Sequence, residues 1–369
     1  AYVTFSGVVG PVGGIPASEL NDEFEVLTVV DADNFTIQVT TAATSTTTGG
    51  GTNITAAFQI NPGYTITTYG YGWGAGAWSR GTWSSGAVTP VVQNQRDWFF
   101  DNFDSDLVAN IRNGAIYYWV AASGISTRAV LLSSLVGASD VPSETTQALV
   151  SQGNKHLLAL GATPFGGGDF DPLLIRWSNQ DDPANWTPSS TTSAGFLRVP
   201  RGSRIICGLA SRQETLVWTE ATLNSLQFLG TTEVFGLQEL SHNISIIGAN
   251  AVVGTNNITY WMGRDRFYAY SGRVDTLPCT LRQYIFTDIN FTQSALIFSG
   301  INNKFTEVIW FYCTANSNEI DRYVVFNYLE NIWYYGTGTI KSLDSIKAYI
   351  NGSVVASSGI GSATFSLSN

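Results

Sequence analysis

The first 66 residues alternate apolar and polar positions with the period of two that is typical of β-strands. The runs "YVTFSG", "FEVLTVV" and "NFTIQVTT" show this alternation. Asp31 to Asn34 lie between the last two runs and predict a tight turn, because Asp and Asn side chains bond the nearby backbone. The Thr-, Ser- and Gly-rich stretch 41–53 predicts a flexible loop. We predict a small β module over residues 1–66. Because the chain starts "AYVTFSG" without an initiator Met, we expect this module to be truncated at its start.

From residue 95 onward, short strands come in groups, and each group ends in an aromatic-rich strand. Gly, Asn or Asp occupy the turns, as in Arg112-Asn113-Gly114. The groups recur about every 40 to 50 residues, which is the repeat length of β-propeller blades. We predict an all-β fold with a β-propeller of about six blades over residues 95–369. Helical turns are expected only in the connections 127–137 and 282–300.

The stretch "EVIWFYCTANSNEIDRYVVFNYLENIWYY" shows one such blade in full. "EVIWFY" predicts a strand with Val308, Trp310 and Tyr312 on one face. "NSN" predicts the turn, "YVVF" the returning strand and "NIWYY" the next strand. Asp321 and Arg322 lie where the chain re-enters the sheet, which indicates an ion pair or a turn cap.

A Gly- and Trp-rich segment, "GYGWGAGAWSRGTWSSG", separates the two regions. Its G-x-G patterns lack the preceding buried strand and following helix that a dinucleotide-binding loop needs. Trp73, Trp78 and Trp83 recur at intervals of five, so neither a helix nor a strand puts all three on one face. We predict an irregular connecting arm over residues 67–94 whose three Trp rings pack against the propeller or a neighbouring subunit.

The composition adds constraints on partners. Charged residues make up only 12% of the chain, about half the usual share, beside 11 Trp and 16 Tyr. So few charges indicate a surface that neighbouring subunits cover extensively. The formal net charge is −10 and the sequence has no basic run, which argues against nucleic-acid binding through phosphate neutralisation. The sequence has no run of about 18 apolar residues, so we predict no membrane insertion.

Residues that could carry chemistry are few. His156 and His242 are the only histidines, and neither belongs to a catalytic motif; a strand flank is expected for His156. Cys207, Cys279 and Cys313 lack metal-ligand spacing and are predicted to be buried free thiols. We predict no cofactor and no metal site.

The segment "SNQDDPANW" resembles the Asp-box of sialidases in part. Gln180 stands where that motif has Asp, and the Gly is absent. The box is itself a structural turn, so this partial match does not point to a glycosidase site. We predict that the protein is not an enzyme.

Three segments together resemble one family of phage proteins. They are "RWSNQDDPANWTPSSTTSAGFLRVPRGSRIICGLASRQETLVWTEATLNSLQFLG", "YWMGRDRFYAYSGRVDTLPCTLRQYIFTDIN" and "EVIWFYCTANSNEIDRYVVFNYLENIWYYG". In order and content they are similar to the tail nozzle of short-tailed bacteriophages, a family also called tail tubular or packaged-DNA stabilisation proteins. The resemblance covers roughly residues 68–340. Separately, "GIPASELNDEFEVLTVVDADNFTIQVTTAATSTTTGGG" resembles a small β module found in many phage structural proteins, with no enzymatic role.

The resemblance implies a structural virion protein made in the bacterial host cytoplasm and built into the phage tail. The family implies a homo-hexameric ring with one propeller per subunit. Its partners would be the head-to-tail adaptor protein, the tail fibres or spikes, and DNA that passes through the channel without specific binding. The ring would retain packaged DNA and conduct it at infection.

An acidic chain suits such a conduit, because it repels phosphates and lets the duplex slide. Acidic turn residues are therefore the candidates to line the lumen of the ring: Asp101, Asp104, Asp106, Asp181 and Asp182. The alternative from another class is a receptor-binding or glycan-degrading phage tail appendage, which would also be β-rich and aromatic. A lectin-like monomeric propeller is a third reading. Symmetry separates the three, since appendages are usually trimers and a nozzle is a ring of six.

Overall fold

The chain divides into two compact units, Ala1–Gly63 and Tyr64–Asn369. The division falls just before Ile66, where the sequence predicts the end of the front module. The structure is a computed structural model that describes residues 2–30, 34–58, 67, 95–125, 127–151, 153–211, 214–231, 233–255 and 257–340.

The alternating pattern of the first unit forms one antiparallel sheet in the order β3-β2-β1-β4. Its elements are β1 (Tyr2–Ser6), the short helix α1 (Ala17–Leu20), β2 (Glu23–Val29), β3 (Phe35–Ile37) and β4 (Thr55–Phe58). The Val30 N–H donates to the Asn34 carbonyl at 2.9 Å, so β2 and β3 form the predicted hairpin.

The stretch 41–53, predicted as a flexible loop, has no regular structure, but hydrogen bonds hold it. The Thr40 and Thr41 amides donate to one Glu19 carboxylate oxygen at 2.6 and 2.8 Å. The bonds from Thr41 contribute most to lowering the pKa of Glu19. Farther along, the Val9 N–H donates to the Gly50 carbonyl at 2.8 Å. A Thr-rich segment is therefore not necessarily a flexible loop, because a carboxylate can accept hydrogen bonds from its backbone amides.

The second unit contains consecutive antiparallel sheets of four strands each. The first blade comprises β5 (Trp98–Phe103), β6 (Asp106–Ile111), β7 (Ile116–Trp119) and β8 (Val130–Leu131). The second comprises β9 (Thr145–Ser151), β10 (His156–Ala162), β11 (Asp171–Trp177) and β12 (Gly195–Arg198). The third comprises β13 (Ile205–Ala210), β14 (Thr215–Thr219), β15 (Thr222–Phe228) and β16 (Phe235–His242).

Two further blades complete the described part of this unit. The fourth comprises β17 (Val252–Gly254), β18 (Thr259–Met262), β19 (Phe267–Tyr270) and β20 (Val274–Leu277). The fifth comprises β21 (Phe298–Asn302), β22 (Glu307–Tyr312), β23 (Ile320–Asn327) and β24 (Ile332–Ile340). The predicted all-β propeller is confirmed, and residues 95–340 as described hold five blades where the sequence predicts about six for 95–369.

In the second unit, helical turns occur in both predicted connections, and one lies outside them, within the first blade. A 3₁₀ turn at Leu132–Ser134 leads from the first blade to the second, although the preceding Val130–Leu131 is a strand and not part of a helix. Another 3₁₀ turn is Ala121–Ser123. Between the fourth and fifth blades lie helix α2 (Arg282–Thr287) and the 3₁₀ segment Phe291–Leu296.

The blades follow one another around a ring, because the first strand of each described sheet lies beside the first strand of the next. Apolar faces of adjacent blades form the core between them. Aromatic rings dominate this core in the later blades: Trp218 and Trp261 meet edge to face with ring centroids 5.5 Å apart, and the tilted rings of Phe267 and Trp310 have centroids 4.8 Å apart. Such pairs add about 0.5–1.5 kcal/mol each beyond their burial.

The segment predicted as a complete blade is the fifth blade. Val308 and Trp310 are fully buried and Tyr312 is nearly so, which confirms that the three share the packed face. Asp321 caps a turn, because it accepts the Thr314 N–H at 2.9 Å and the Thr314 hydroxyl at 2.7 Å.

Side-chain amides join backbone segments that strand pairing does not join. Gln147 on β9 accepts the Gly208 N–H at 2.7 Å and donates to the Gly208 carbonyl at 3.1 Å, so it bridges the second and third blades. Buried Gln293 bonds both backbone groups of Thr67 in the same way, at 3.0 and 2.8 Å. Each amide supplies the donor and acceptor that a neighbouring strand would supply.

Candidate functional site

The five aspartates predicted as lumen candidates do not form one group. Asp104 and Asp181 come together through a lysine, whereas Asp101, Asp106 and Asp182 bond backbone groups nearby. Whether any of them faces the lumen of an assembly stays a prediction.

The acidic turn cluster, which we define as Asp104, Lys155, Asp181 and Asp182, lies where the first and second blades meet. The Lys155 ammonium is 3.2 Å from Asp104 Oδ2 and 3.3 Å from Asp181 Oδ1. The Asp181 N–H also donates to the Lys155 carbonyl at 2.9 Å. The hydrogen bond to Asp104, followed by that to Asp181, raises the pKa of Lys155. Two carboxylates therefore share one ammonium, and Asp182 follows Asp181 directly in sequence while accepting the Ala184 N–H.

Strained turns present these charges. Asp104, Lys155 and Asp181 all have positive φ angles, of 53°, 50° and 57°. Non-glycine residues rarely adopt this conformation, although Asp tolerates it better than most because its side chain can bond locally. The three turns hold their side chains outward, and all three groups are exposed enough to be solvated.

Asp101 and Asp106 have structural partners instead. Asp101 accepts the Val150 N–H at 2.7 Å and so joins the inner strands of the first and second blades. Asp106 accepts the Ala121 N–H at 3.0 Å and the Tyr118 hydroxyl at 2.8 Å. Burial, followed by this bond to Asp106, raises the pKa of Tyr118.

The "SNQDDPANW" segment forms a compact turn between β11 and β12. Asp182 accepts the Ala184 N–H at 3.0 Å, and the Trp186 indole N–H donates to the Pro183 carbonyl at 2.8 Å. Trp186 is buried, and the Arg176 guanidinium lies 5.9 Å from its ring centroid. This segment therefore anchors the second blade.

A group of arginines that the sequence did not single out lies between the fourth and fifth blades. The arginine turn cluster, defined as Arg264, Asp265, Arg266 and Arg282, joins the β18–β19 turn to the start of α2. Asp265 Oδ2 lies 2.6 Å from Arg266 and 3.3 Å from Arg282, whose Nε also donates to the Asp265 carbonyl at 2.7 Å. The bond from Arg266 contributes most to lowering the pKa of Asp265. Arg264 is exposed beside them. The run "GRDRF" carried part of this signal, but Arg282 is distant in sequence.

The nucleophilic and titratable side chains of the interior have packing roles. His156 is fully buried, with Nε2 3.1 Å from the Ser193 hydroxyl, and burial lowers its pKa. All three cysteines are free thiols, and burial raises the pKa of Cys207 and Cys313 to about 12 and that of Cys279 to about 11. At these values the reactive thiolate is scarce at neutral pH.

Two features are absent from the part of the chain that the structure describes. No three or more His, Cys, Asp or Glu side chains come together there in a group that could hold a metal ion. No helix among these residues is long and apolar enough to cross a membrane. The predicted arm residues Trp73, Trp78 and Trp83 lie outside the described residues, so their role stays a prediction.

Comparison with known proteins gives likeness of shape only. No family model matches the chain, and no curated protein matches it. Among solved structures, the chain is similar to Hsv2 of Kluyvelomyces marxianus, with 9% identity, a TM-score of 0.37, and coverage of 64% of this chain and 62% of that one. An S. cerevisiae complex of Dbp5 bound to Nup159 and Gle1 matches with 9% identity, a TM-score of 0.39, and coverage of 65% and 60%. AztD from Citrobacter koseri matches with 8% identity, a TM-score of 0.36, and coverage of 69% and 74%.

Proposed function

We propose that this protein is a structural virion protein that forms a hexameric tail nozzle ring, which retains packaged DNA and conducts it at infection. The observation that carries the proposal is that the segments resembling nozzle proteins supply consecutive blades. The first begins in β11 and runs through β15, the second begins in β18, and the third spans β22 to β24. The resemblance therefore follows the order of the packing units of the fold.

The charge of the chain supports a conduit for DNA. The formal net charge is −10, and in the acidic turn cluster the exposed carboxylates of Asp104 and Asp181 share the one ammonium of Lys155. A surface of this sign repels phosphates, so a duplex passes without being held.

The packing between blades is consistent with a mechanically rigid subunit. Gln147 and Asp101 tie the first three blades together through backbone hydrogen bonds, and aromatic rings fill the core between the later ones. A ring that retains DNA needs subunits that keep their shape, and satisfied polar bridges beside a close-packed core provide this.

The test is a projection of the purified protein, viewed down the particle axis by electron microscopy. Six-fold symmetry is expected. Three-fold symmetry would indicate the receptor-binding or glycan-degrading tail appendage, and single propellers would indicate a lectin-like monomer; either result overturns the proposal.

A second measurement tests the conduit itself. Fluorescence anisotropy with labelled duplex DNA is expected to show no binding at about 50 mM salt, where phosphate contacts are strongest. Tight binding that weakens steeply toward about 200 mM salt would contradict the sliding of DNA through the ring.

A further inference from the structure

We propose that the arginine turn cluster of one subunit docks on the acidic turn cluster of the next, forming the contact that closes the ring. This inference rests on the proposed function for the closed ring, and its residues are Arg264, Arg266 and Arg282 on one side and Asp104, Asp181 and Asp182 on the other.

The two clusters have the same number of charged residues, with the signs of the charges reversed. Asp265 pairs with Arg266 and Arg282, and with the adjacent Arg264 the cluster has a net charge of +2; Lys155 pairs with Asp104 and Asp181, and with the adjacent Asp182 the cluster has a net charge of −2. In each, a central ion of opposite sign holds two of its neighbours, at 2.6 and 3.3 Å in one and at 3.2 and 3.3 Å in the other. The excess charge is therefore held in place before a partner arrives, which lowers the entropy that docking costs.

The clusters lie at opposite ends of the propeller. Strands alternate in direction within each antiparallel blade. The turns after the first and third strands therefore lie at one end of the propeller. The turns after the second strands lie at the other end, together with the connections between blades. Asp104 and Lys155 follow first strands and Asp181 follows a third strand, which places the acidic cluster at the first end. Arg264 follows a second strand and Arg282 begins a connection between blades, which places the arginine cluster at the other end.

This polarity determines the kind of contact. A two-fold dimer would need both patches of each subunit at one shared interface, and patches on opposite ends of the propeller cannot both lie there. The contact is heterologous, and heterologous contacts build a ring when the rotation closes. Arginine is also the residue best suited to this role, because its planar fork binds carboxylates through two parallel hydrogen bonds.

The experiment uses two variants of the full chain. The arginine variant carries Arg264→Glu and Arg282→Gln. The acidic variant carries Asp104→Asn and Asp181→Asn, since Asn keeps the positive φ angles of 53° and 57°. The matched controls change exposed charges outside both clusters: Arg273→Glu and Asp169→Asn.

Native mass spectrometry over a concentration series gives the first readout. In each variant, the concentration at which assembly is half complete is expected to rise about tenfold or more, whereas the controls assemble like the parent chain. Circular dichroism verifies that every variant is folded. The parent assembly is also expected to weaken between about 0.1 M and 1 M salt, because the screening length falls from about 10 Å to about 3 Å.

Mixing the two variants gives the decisive readout. The arginine variant keeps an intact acidic cluster and the acidic variant an intact arginine cluster, so one intact contact forms per pair. The mixture is expected to give heterodimers and no ring. Unchanged assembly of the variants, or a mixture without heterodimers, overturns the inference.

The outcomes separate this inference from the proposed function. A parent hexamer that both variants leave intact overturns the docking contact and leaves the nozzle standing. A parent assembly of another size that both variants dissolve supports the contact and overturns the nozzle. A third outcome is that the parent chain binds duplex DNA, and that the arginine variant loses this binding but assembles as before. The arginine cluster would then bind phosphates, and the inference would be overturned.

Discussion

The side-chain amide of Gln147 bonds both backbone groups of Gly208, at 2.7 and 3.1 Å, and so acts as one residue of a strand between two blades. Gly208 is buried, and a methyl group on its Cα would run into Leu160 and Leu149. The bridge therefore joins a long side-chain amide on one blade to a glycine on the other, where a larger residue would have to displace the ends of two leucine side chains.

Replacing Gln147 with Met tests this bridge. The change keeps most of the side-chain volume but leaves the buried N–H and carbonyl of Gly208 without their partner, which costs about 1–3 kcal/mol. The urea midpoint is expected to fall, while Gln238→Met, at an exposed position, leaves it in place. Equal midpoints for the two variants would show that the bridge contributes nothing.

The buried Arg176 tests a different kind of bond. Its guanidinium lies 2.5 Å from Asp140 Oδ2 and also donates to the carbonyls of Thr163 at 3.0 Å and of Asp140 at 2.9 Å. Asp140→Ala leaves a buried cation without its counter-ion, and such breakage costs about 3–5 kcal/mol. Arg176→Met is expected to cost less, because it removes the buried charge and leaves Asp140 partly solvated. Thermal unfolding measures both, and a larger loss for Arg176→Met would contradict this order.

Buried His156 predicts a loss of stability in mild acid. Burial holds its pKa below the ordinary value of about 6.5, so the fold favours the neutral ring. Its contribution is fully present above about pH 6.5 and declines as the pH falls toward the lower pKa of the folded state. We expect His156→Phe to reduce the loss of unfolding free energy as the pH falls below about 6.5. The control His242→Asn, at an exposed site, should leave this loss unchanged. A curve unchanged by His156→Phe would refute the assignment.

The Trp arm predicts an effect on ring assembly or on the packing of the front module, but not on the folding of the blades. Replacing Trp73, Trp78 and Trp83 together with Ala removes three anchors, each worth about 1.5–3 kcal/mol when buried. We expect weaker ring assembly or weaker packing of the front module by size-exclusion chromatography, with the blades still folded by near-ultraviolet circular dichroism. The triple Trp→Phe variant keeps the apolar contacts and should assemble. Unchanged assembly and stability of the Ala variant would mean that the rings anchor nothing.

The sequence predicted the elements whose signal is local. The alternation of Val308, Trp310 and Tyr312 gave the packed face of the fifth blade, and Asn113 and Gly114 gave a turn, because neighbours in sequence determine both. Clusters of side chains that are distant in sequence could not be predicted from local sequence patterns. Lys155 joins turns of the first two blades, and Arg282 joins the start of α2 to the β18–β19 turn, so their roles depend on the folded chain and not on spacing.

The aspartates show the same division. Asp104, Asp106, Asp181 and Asp182 lie at or beside turns as predicted, but Asp101 lies within β5, paired with Val108, so its placement in a turn was wrong. Composition and charge say nothing about backbone partners. Asp101 reaches an N–H of the next blade and Asp106 reaches a connection within its own, so both contribute to packing. Asp104 and Asp181 instead share Lys155. The difference between these two pairs of aspartates depends on how the strands are arranged in space, which the sequence does not show.

The mass of the assembled protein tests the central claim most directly. Native mass spectrometry of the full chain at physiological salt is expected to give a species of six times the 39.8 kDa of one chain. A sharp species of three chains, or a single chain at every concentration measured, would contradict a nozzle ring.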